Sequence, residues 1–151
     1  MSKKHNQIKV GLASDHAGFR LKEFLKEKFE KEGYVITDFG CDSAENCDYP
    51  DYGHPLALAV VEGKVDYGFT MCGSGNGINM VVNKHNGIRS AICWNKEMTR
   101  LARSHNDANI CSLPARFISP VIAWKVCQIF LDTKFDGGRH KRRIDKIPWK
   151  N

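Results

Sequence analysis

A cysteine, an aspartate, two histidines and a group of arginines carry the chemical potential of this sequence. Cys72 heads the loop Gly73-Ser74-Gly75-Asn76-Gly77, directly after the apolar run Tyr67-Gly68-Phe69-Thr70-Met71. Three glycines in five positions admit positive φ angles and close approach by another group. A tight loop that leaves a strand and opens a helix aims several N–H groups into one concavity suited to an anion. A cysteine beside a helix N-terminus is favoured as the thiolate. Asp15-His16, near the start, adds a carboxylate and an imidazole. Such a set can move a proton beside a carbonyl and hold the oxyanion that results. Singly, each residue has a plainer explanation: Asp15 as a helix cap, His16 as a solvated loop residue, Cys72 as buried filler. The glycine pattern by itself is weak.

Two further groups lie later in the chain. His105-Asn106-Asp107 is a polar trio between a helix and the strand that follows it. Arg139 and Arg143, spaced i and i+4, project from one helical face and form a pair of guanidinium forks that fits a phosphate.

The elements that position these residues follow from periodicity and punctuation. Strands are predicted at Ile8–Ala13, Tyr34–Asp38, Tyr67–Met71, Ile88–Ile92 and Asn109–Leu113. Helices are predicted from about Ala17 to Glu32, Pro55 to Glu62, after Gly77, Lys96 to Ser104, Ser119 to Leu131 and Arg139 to Ile147. Asp15 or Ser14 is a fitting cap for the first helix, and Ser119 with Pro120 opens the long one. Gly40 to Gly53, containing Asp48-Tyr49-Pro50, reads as a loop. Strands alternating with helices at this spacing predict a doubly wound, three-layer α/β/α fold. Its sheet is five-stranded, parallel and Rossmann-like. Ligands bind such folds beyond the carboxyl ends of the strands. Asp15-His16 and Cys72 to Gly77 fall at that edge, whereas His105 falls at the opposite one, about 17 Å away.

The 151 residues predict one domain, residues 1–151, with an ordinary globular composition of 42% hydrophobic and 26% charged residues. No apolar run approaches the length of a membrane span. The segment Met1 to Gln7 has no apolar stretch behind its charges, so the chain is expected in the cytoplasm. There the six cysteines are expected as free thiols, with Cys93, Cys111 and Cys127 in the core. No CxxC or clustered Cys/His spacing predicts a metal site. The net charge of +6 is concentrated at the end, where Lys134, Arg139, Lys141, Arg142, Arg143, Lys146 and Lys150 fall within the last 18 residues. With no nucleic-acid module and no interleaved aromatics, this basic run predicts no nucleic-acid partner.

Asp15-His16-Ala17-Gly18, Asp48-Tyr49-Pro50, Cys72 to Gly77, Asn83-Lys84, Gly87-Ile88-Arg89, His105-Asn106-Asp107 and Gly138-Arg139-His140 to Arg143 together resemble the ribose-5-phosphate isomerase B family. That family includes allose- and galactose-6-phosphate isomerases. The resemblance runs in order over about residues 8 to 147. It implies aldose–ketose isomerisation of D-ribose 5-phosphate and D-ribulose 5-phosphate through an enediolate, without metal or organic cofactor. It implies that Cys72 is the base, that the amides of Gly73 to Gly77 form an anion hole, and that Ser74 exchanges oxygen-bound protons. His105 would open the furanose ring, with Asp15 near the ring oxygen. His16, Arg116, Arg139 and Arg143 match the phosphate set, Asn106 and Tyr49 the sugar-facing set, and Asn76 belongs with the substrate-binding residues of the glycine loop. Family members are homodimers with shared sites, which answers the position of His105; whether dimers pair into tetramers is left open. Ile78 stands where one variant of the family has a glutamate, which places the chain with the cysteine type. Leu113-Pro114-Ala115 departs from the family's glycine-rich pattern before Arg116.

Two alternatives remain at this stage. The same base and anion hole would serve a six-carbon sugar phosphate. A non-catalytic binding module for a nucleotide or sugar phosphate, or a thiol redox protein, is the other. The redox role is disfavoured because Cys72 has no CxxC partner, and a dinucleotide role because the glycine loop follows the third strand.

Overall fold

The computed structural model describes residues 7–150. The segment 1–6, read above as lacking a secretion signal, lies outside the described residues, as does residue 151. Five parallel strands form one sheet in the order β2-β1-β3-β5-β4. They are β1 (Lys9–Ser14), β2 (Val35–Asp38), β3 (Tyr67–Cys72), β4 (Ser90–Ile92) and β5 (Ile110–Pro114). The helices are α1 (Phe19–Lys31), α2 (Tyr49–Val61), α3 (Asn76–Val82), α4 (Lys96–Ser104), α5 (Pro120–Asp132) and α6 (Arg139–Ile144). The expected three-layer arrangement is present.

The three central strands are buried almost end to end, as parallel strands covered on both faces must be. On one face α1, α4 and α5 pack over an aromatic core. Phe29 meets Phe69, Trp124 and Tyr34 at centroid distances of 5.2, 5.0 and 5.3 Å. On the other face Leu56 and Ala57 of α2 and Val82 of α3 cover Ala13 and Ile110. Burying a side chain of this size contributes about 1.5–3 kcal/mol. Cys93, Cys111 and Cys127 are fully buried free thiols, as expected.

Three details differ from the sequence-based expectation. The region read as a loop up to Gly53 is helical from Tyr49, with Asp48 as N-cap and Pro50 in the first turn. Proline costs nothing there, because the first N–H groups of a helix have no intrahelical partner. Pro55 sits inside α2 on the exposed side, while Gly53, Leu56, Ala57 and Ala59 are buried. Packing of that face outweighs the local turn signals. Neither Ser14 nor Asp15 caps α1. The N-cap is Gly18, whose N–H donates to Asp15 Oδ1 at 3.1 Å. Finally, α6 stops at Ile144, three residues before the expected Ile147.

Lys22 of α1 is fully buried, which the sequence did not signal. Its ammonium contacts Asp38 Oδ2 at 2.7 Å and Oδ1 at 2.9 Å, and Lys26 reaches the same carboxylate at 3.0 Å. Asp38 also accepts the Gly40 N–H at 2.9 Å, and the Gly40 carbonyl accepts the Ser14 N–H at 2.7 Å. The ion pair therefore fixes the turn that brackets the end of β1, where Asp15 begins.

Candidate active site

Cys72 is the last residue of β3 and is 4% exposed. Its carbonyl accepts the Ala115 N–H at 2.9 Å, and the Gly73 carbonyl accepts the Arg116 N–H at 3.0 Å. The loop is thereby tied to the end of β5. Gly75 turns the chain into α3 at φ 79°, a left-handed conformation that favours glycine. Ser74 Oγ accepts the Asn76 N–H at 3.3 Å, and both side chains face the exposed rim. The Tyr49 ring lies so close on Gly77 that a Cβ there would sit 2.5 Å from its Cζ. A Cβ on Gly73 would sit 3.1 Å from Arg116 Nη1. The glycines thus make room for a phenol on one side of the loop and a guanidinium on the other. Arg116 reaches the loop despite the preceding Leu113-Pro114-Ala115.

Strands β1 and β3 are neighbours, so the loop after β1 joins this edge. The Asp15 N–H donates to the Met71 carbonyl at 3.3 Å, which seats Asp15 beside the last turn before Cys72. His16 Nδ1 is held against the Cys47 backbone, 3.2 Å from its O and 3.3 Å from its N. A concavity of about 500 Å³ opens among His16, Asn46, Cys47, Asp48 and Asp51. Another of about 420 Å³ opens among Ser74, Asn76, Ile92, Trp94, Pro114 and Phe117. Burial, and then the neighbouring Cys41 thiol, push the Cys47 thiol above its ordinary value. This Cys41–Cys47 neighbourhood under His16 went unread in the sequence, where the two thiols are separated by a turn.

The remaining candidates gather elsewhere. His105 is the C-cap of α4, before β5, at the amino edge of the sheet. Its ring stacks on that of His140 at 4.1 Å and 13°, which brings α6, with Arg139 and Arg143, to the same edge. Both arginines are exposed. Asp107 adopts φ 45° and is gripped by Arg103 Nη1 at 2.9 Å and Arg89 Nη2 at 3.3 Å. Arg89 Nε also donates to the Asn106 carbonyl at 3.0 Å, so the loop carrying His105 and Asn106 is clamped. Partial desolvation, followed by His105 and Arg139, lowers the His140 imidazole below its ordinary value, against the pull of Asp136. Arg89 and His140 are in the quoted motifs, but the roles of Arg89, Arg103, Asp136 and His140 went unread. Their contacts span α4, β5 and α6 and leave no local pattern.

The structure therefore unites Cys72, Gly73, Ser74, Gly75, Asn76, Gly77, Asp15, His16, Tyr49 and Arg116 at the carboxyl edge. Within one chain it does not bring His105, Asn106, Arg139 or Arg143 to them. The carboxyl-edge group combines a thiol, a carboxylate, an imidazole, a phenol and backbone amides at one edge of the sheet, which is the equipment for proton transfer on a small anionic substrate.

Residues 10–147 match the family described as Ribose/Galactose Isomerase. The chain is 36% identical to ribose-5-phosphate isomerase B of Escherichia coli over 139 residues, covering 92% of this chain and 93% of that one. A ribose 5-phosphate isomerase of Thermotoga maritima superposes with a TM-score of 0.92 at 45% identity, covering 93% of this chain and 97% of its own. Ribose-5-phosphate isomerase B of Mycoplasma genitalium, solved with bound ribulose-5-phosphate, superposes with a TM-score of 0.91 at 36% identity over 95% of each chain. With matches that span nearly the whole sequence and a superposable fold, the chain belongs to the ribose/galactose isomerase family of sugar phosphate isomerases.

Proposed function

We propose that this protein is a single-domain, cytoplasmic aldose–ketose isomerase that interconverts D-ribose 5-phosphate and D-ribulose 5-phosphate. The observation that carries this reading is the placement of buried Cys72 beside Asp15, at the head of a loop rimmed by Tyr49 and Arg116. The relative that holds ribulose-5-phosphate shares this fold. Cys72, as the thiolate, takes the proton from C2 of the open-chain aldose. The electron pair moves into a C1–C2 enediolate, and the proton returns at C1. The Gly73 to Gly77 amides hold the oxyanion, where preorganised donors act most strongly. Ser74 passes the proton between the two oxygens. Neither a metal nor an organic cofactor is needed, because the substrate's own carbonyl accepts the electrons.

The site is completed by a second copy of the chain. Its His105 opens the ring with Asp15 near the ring oxygen, and its Asn106 meets the sugar. His16, Arg116, Arg139 and Arg143 take the phosphate. The position of His105 at the opposite edge from Cys72 supports this, since no rotation of side chains in one chain closes a strand length.

An assay on ribose 5-phosphate tests the reading. Ribulose 5-phosphate should form with and without chelator, and the C2 proton should exchange with solvent deuterium. Binding without exchange would leave only a phosphosugar-binding module. A six-carbon sugar phosphate is the second reading, because the same base and anion hole would serve it. The ratio of kcat/KM for ribose 5-phosphate and allose 6-phosphate decides between them.

A further inference from the structure

We infer that His105, Asp136 and His140 form a binding site for a transition-metal dication of the zinc type, one that isomerisation does not use and that competes for His105. One ligand atom from each of the three residues lies within 4.8 Å of the other two. They come from three parts of the chain: the end of α4, the segment before α6, and α6 itself. The Asp136 N–H donates to the Ser104 carbonyl at 2.9 Å, which holds the carboxylate's backbone beside the histidine of α4.

Zinc bound by nitrogen at about 2.0–2.1 Å needs neighbouring ligand atoms roughly 3.4 Å apart. The three atoms therefore have to draw together by about 1.4 Å at most. The two imidazoles are half-buried and Asp136 is exposed, so side-chain rotation can supply that movement. The near-parallel rings splay as they turn their lone pairs towards one ion. At a centroid distance of 4.1 Å the two rings already stand as neighbours, as two ligands of one ion must. Two nitrogens and one carboxylate select zinc, cobalt or nickel over magnesium or calcium, which prefer oxygen ligands. Arg139 and Arg143 oppose a cation, so the site is expected to be a reversible one and not a structural zinc centre.

The consequence for activity rests on the function proposed above. An ion held by His105 occupies the imidazole that opens the sugar ring, so zinc acts as a reversible inhibitor. The test uses the full chain stripped with chelator and titrated with cobalt(II). One cobalt per chain should give visible d–d bands without the near-ultraviolet sulfur-to-cobalt charge-transfer band, which separates this site from the six free thiols. His140→Ala should abolish the bands. Asp136→Asn should weaken binding at least about tenfold, since losing even an outer partner of a metal ligand costs that much. Asp136→Asn should also keep its basal turnover while the zinc concentration for half-inhibition rises by a similar factor. Absent binding, a sulfur charge-transfer band, or bands indifferent to both substitutions would overturn the inference. Binding at this site without inhibition would instead count against His105 in turnover and leave the metal site standing.

Discussion

Replacing Cys72 with serine changes one atom at a buried position and keeps the loop's shape. Since a positioned proton-transfer group contributes about 10²–10⁴ in rate, Cys72→Ser should lower kcat by that order. KM should stay near the wild-type value, because the proposed phosphate grip lies with His16 and the arginines. Steady-state kinetics on ribose 5-phosphate measure both; near-normal turnover would remove the sulfur from the mechanism. Arg139→Ala and Arg143→Ala should behave oppositely, raising KM about tenfold or more while kcat changes less. A charge-assisted hydrogen bond to a remote phosphate contributes about 1.5–3 kcal/mol to binding and little to proton transfer. An unchanged KM in both variants would count against their phosphate role.

At the scale of elements, the Lys22–Asp38 pair links α1 to β2 and to the turn beside Asp15. Breaking a buried pair from one side leaves an uncompensated charge and typically costs 3–5 kcal/mol. Lys26 still reaches Asp38, so Lys22→Met should lose about 3 kcal/mol in urea unfolding, the low end of that range. Asp38 adds a pH dependence. Burial pushes its carboxyl up, but the Lys22 ammonium, the Gly40 amide and Lys26 together hold it below the ordinary 3.8. A carboxyl depressed in the folded state adds stability that is full above its unfolded value and is lost as pH falls through the folded one. Urea midpoints should therefore drop from about pH 4 downward, and more shallowly in Lys22→Met. An identical acid slope in the two proteins would show that this pair does not set it. The same scale contains the start of α2, misread from the sequence. The cluster Asp48-Tyr49-Pro50-Asp51 has every local mark of a turn, yet α2 begins there because Leu56, Ala57 and Ala59 are buried against the sheet.

At the scale of the molecule, a shared site makes a prediction that no single-chain arrangement can. Cys72→Ser and His105→Ala chains should each be inactive alone. Mixed and allowed to exchange, they should recover about a quarter of wild-type activity. Half of the dimers are then hybrids, and in each hybrid one of the two twofold-related sites has both residues intact. Mixing that restores nothing, under conditions where subunit exchange is verified by mass, would refute the sharing of Cys72 and His105 between chains.

Much of this was legible in the linear order of residues. Five strands, the helices between them, the glycine loop after the third strand and the edge to which Cys72 and Asp15 belong follow from period and punctuation, which are local signals. Family membership was legible for the same reason, since its motifs are contiguous runs. What folding alone decided depends on contacts between distant segments. The burial of Lys22, the start of α2, the lie of Tyr49 and Arg116 over two glycines, and the meeting of His105, Asp136 and His140 are all of this kind. None of them leaves a trace in spacing, because each was set by which faces the sheet and its two helical layers could bury.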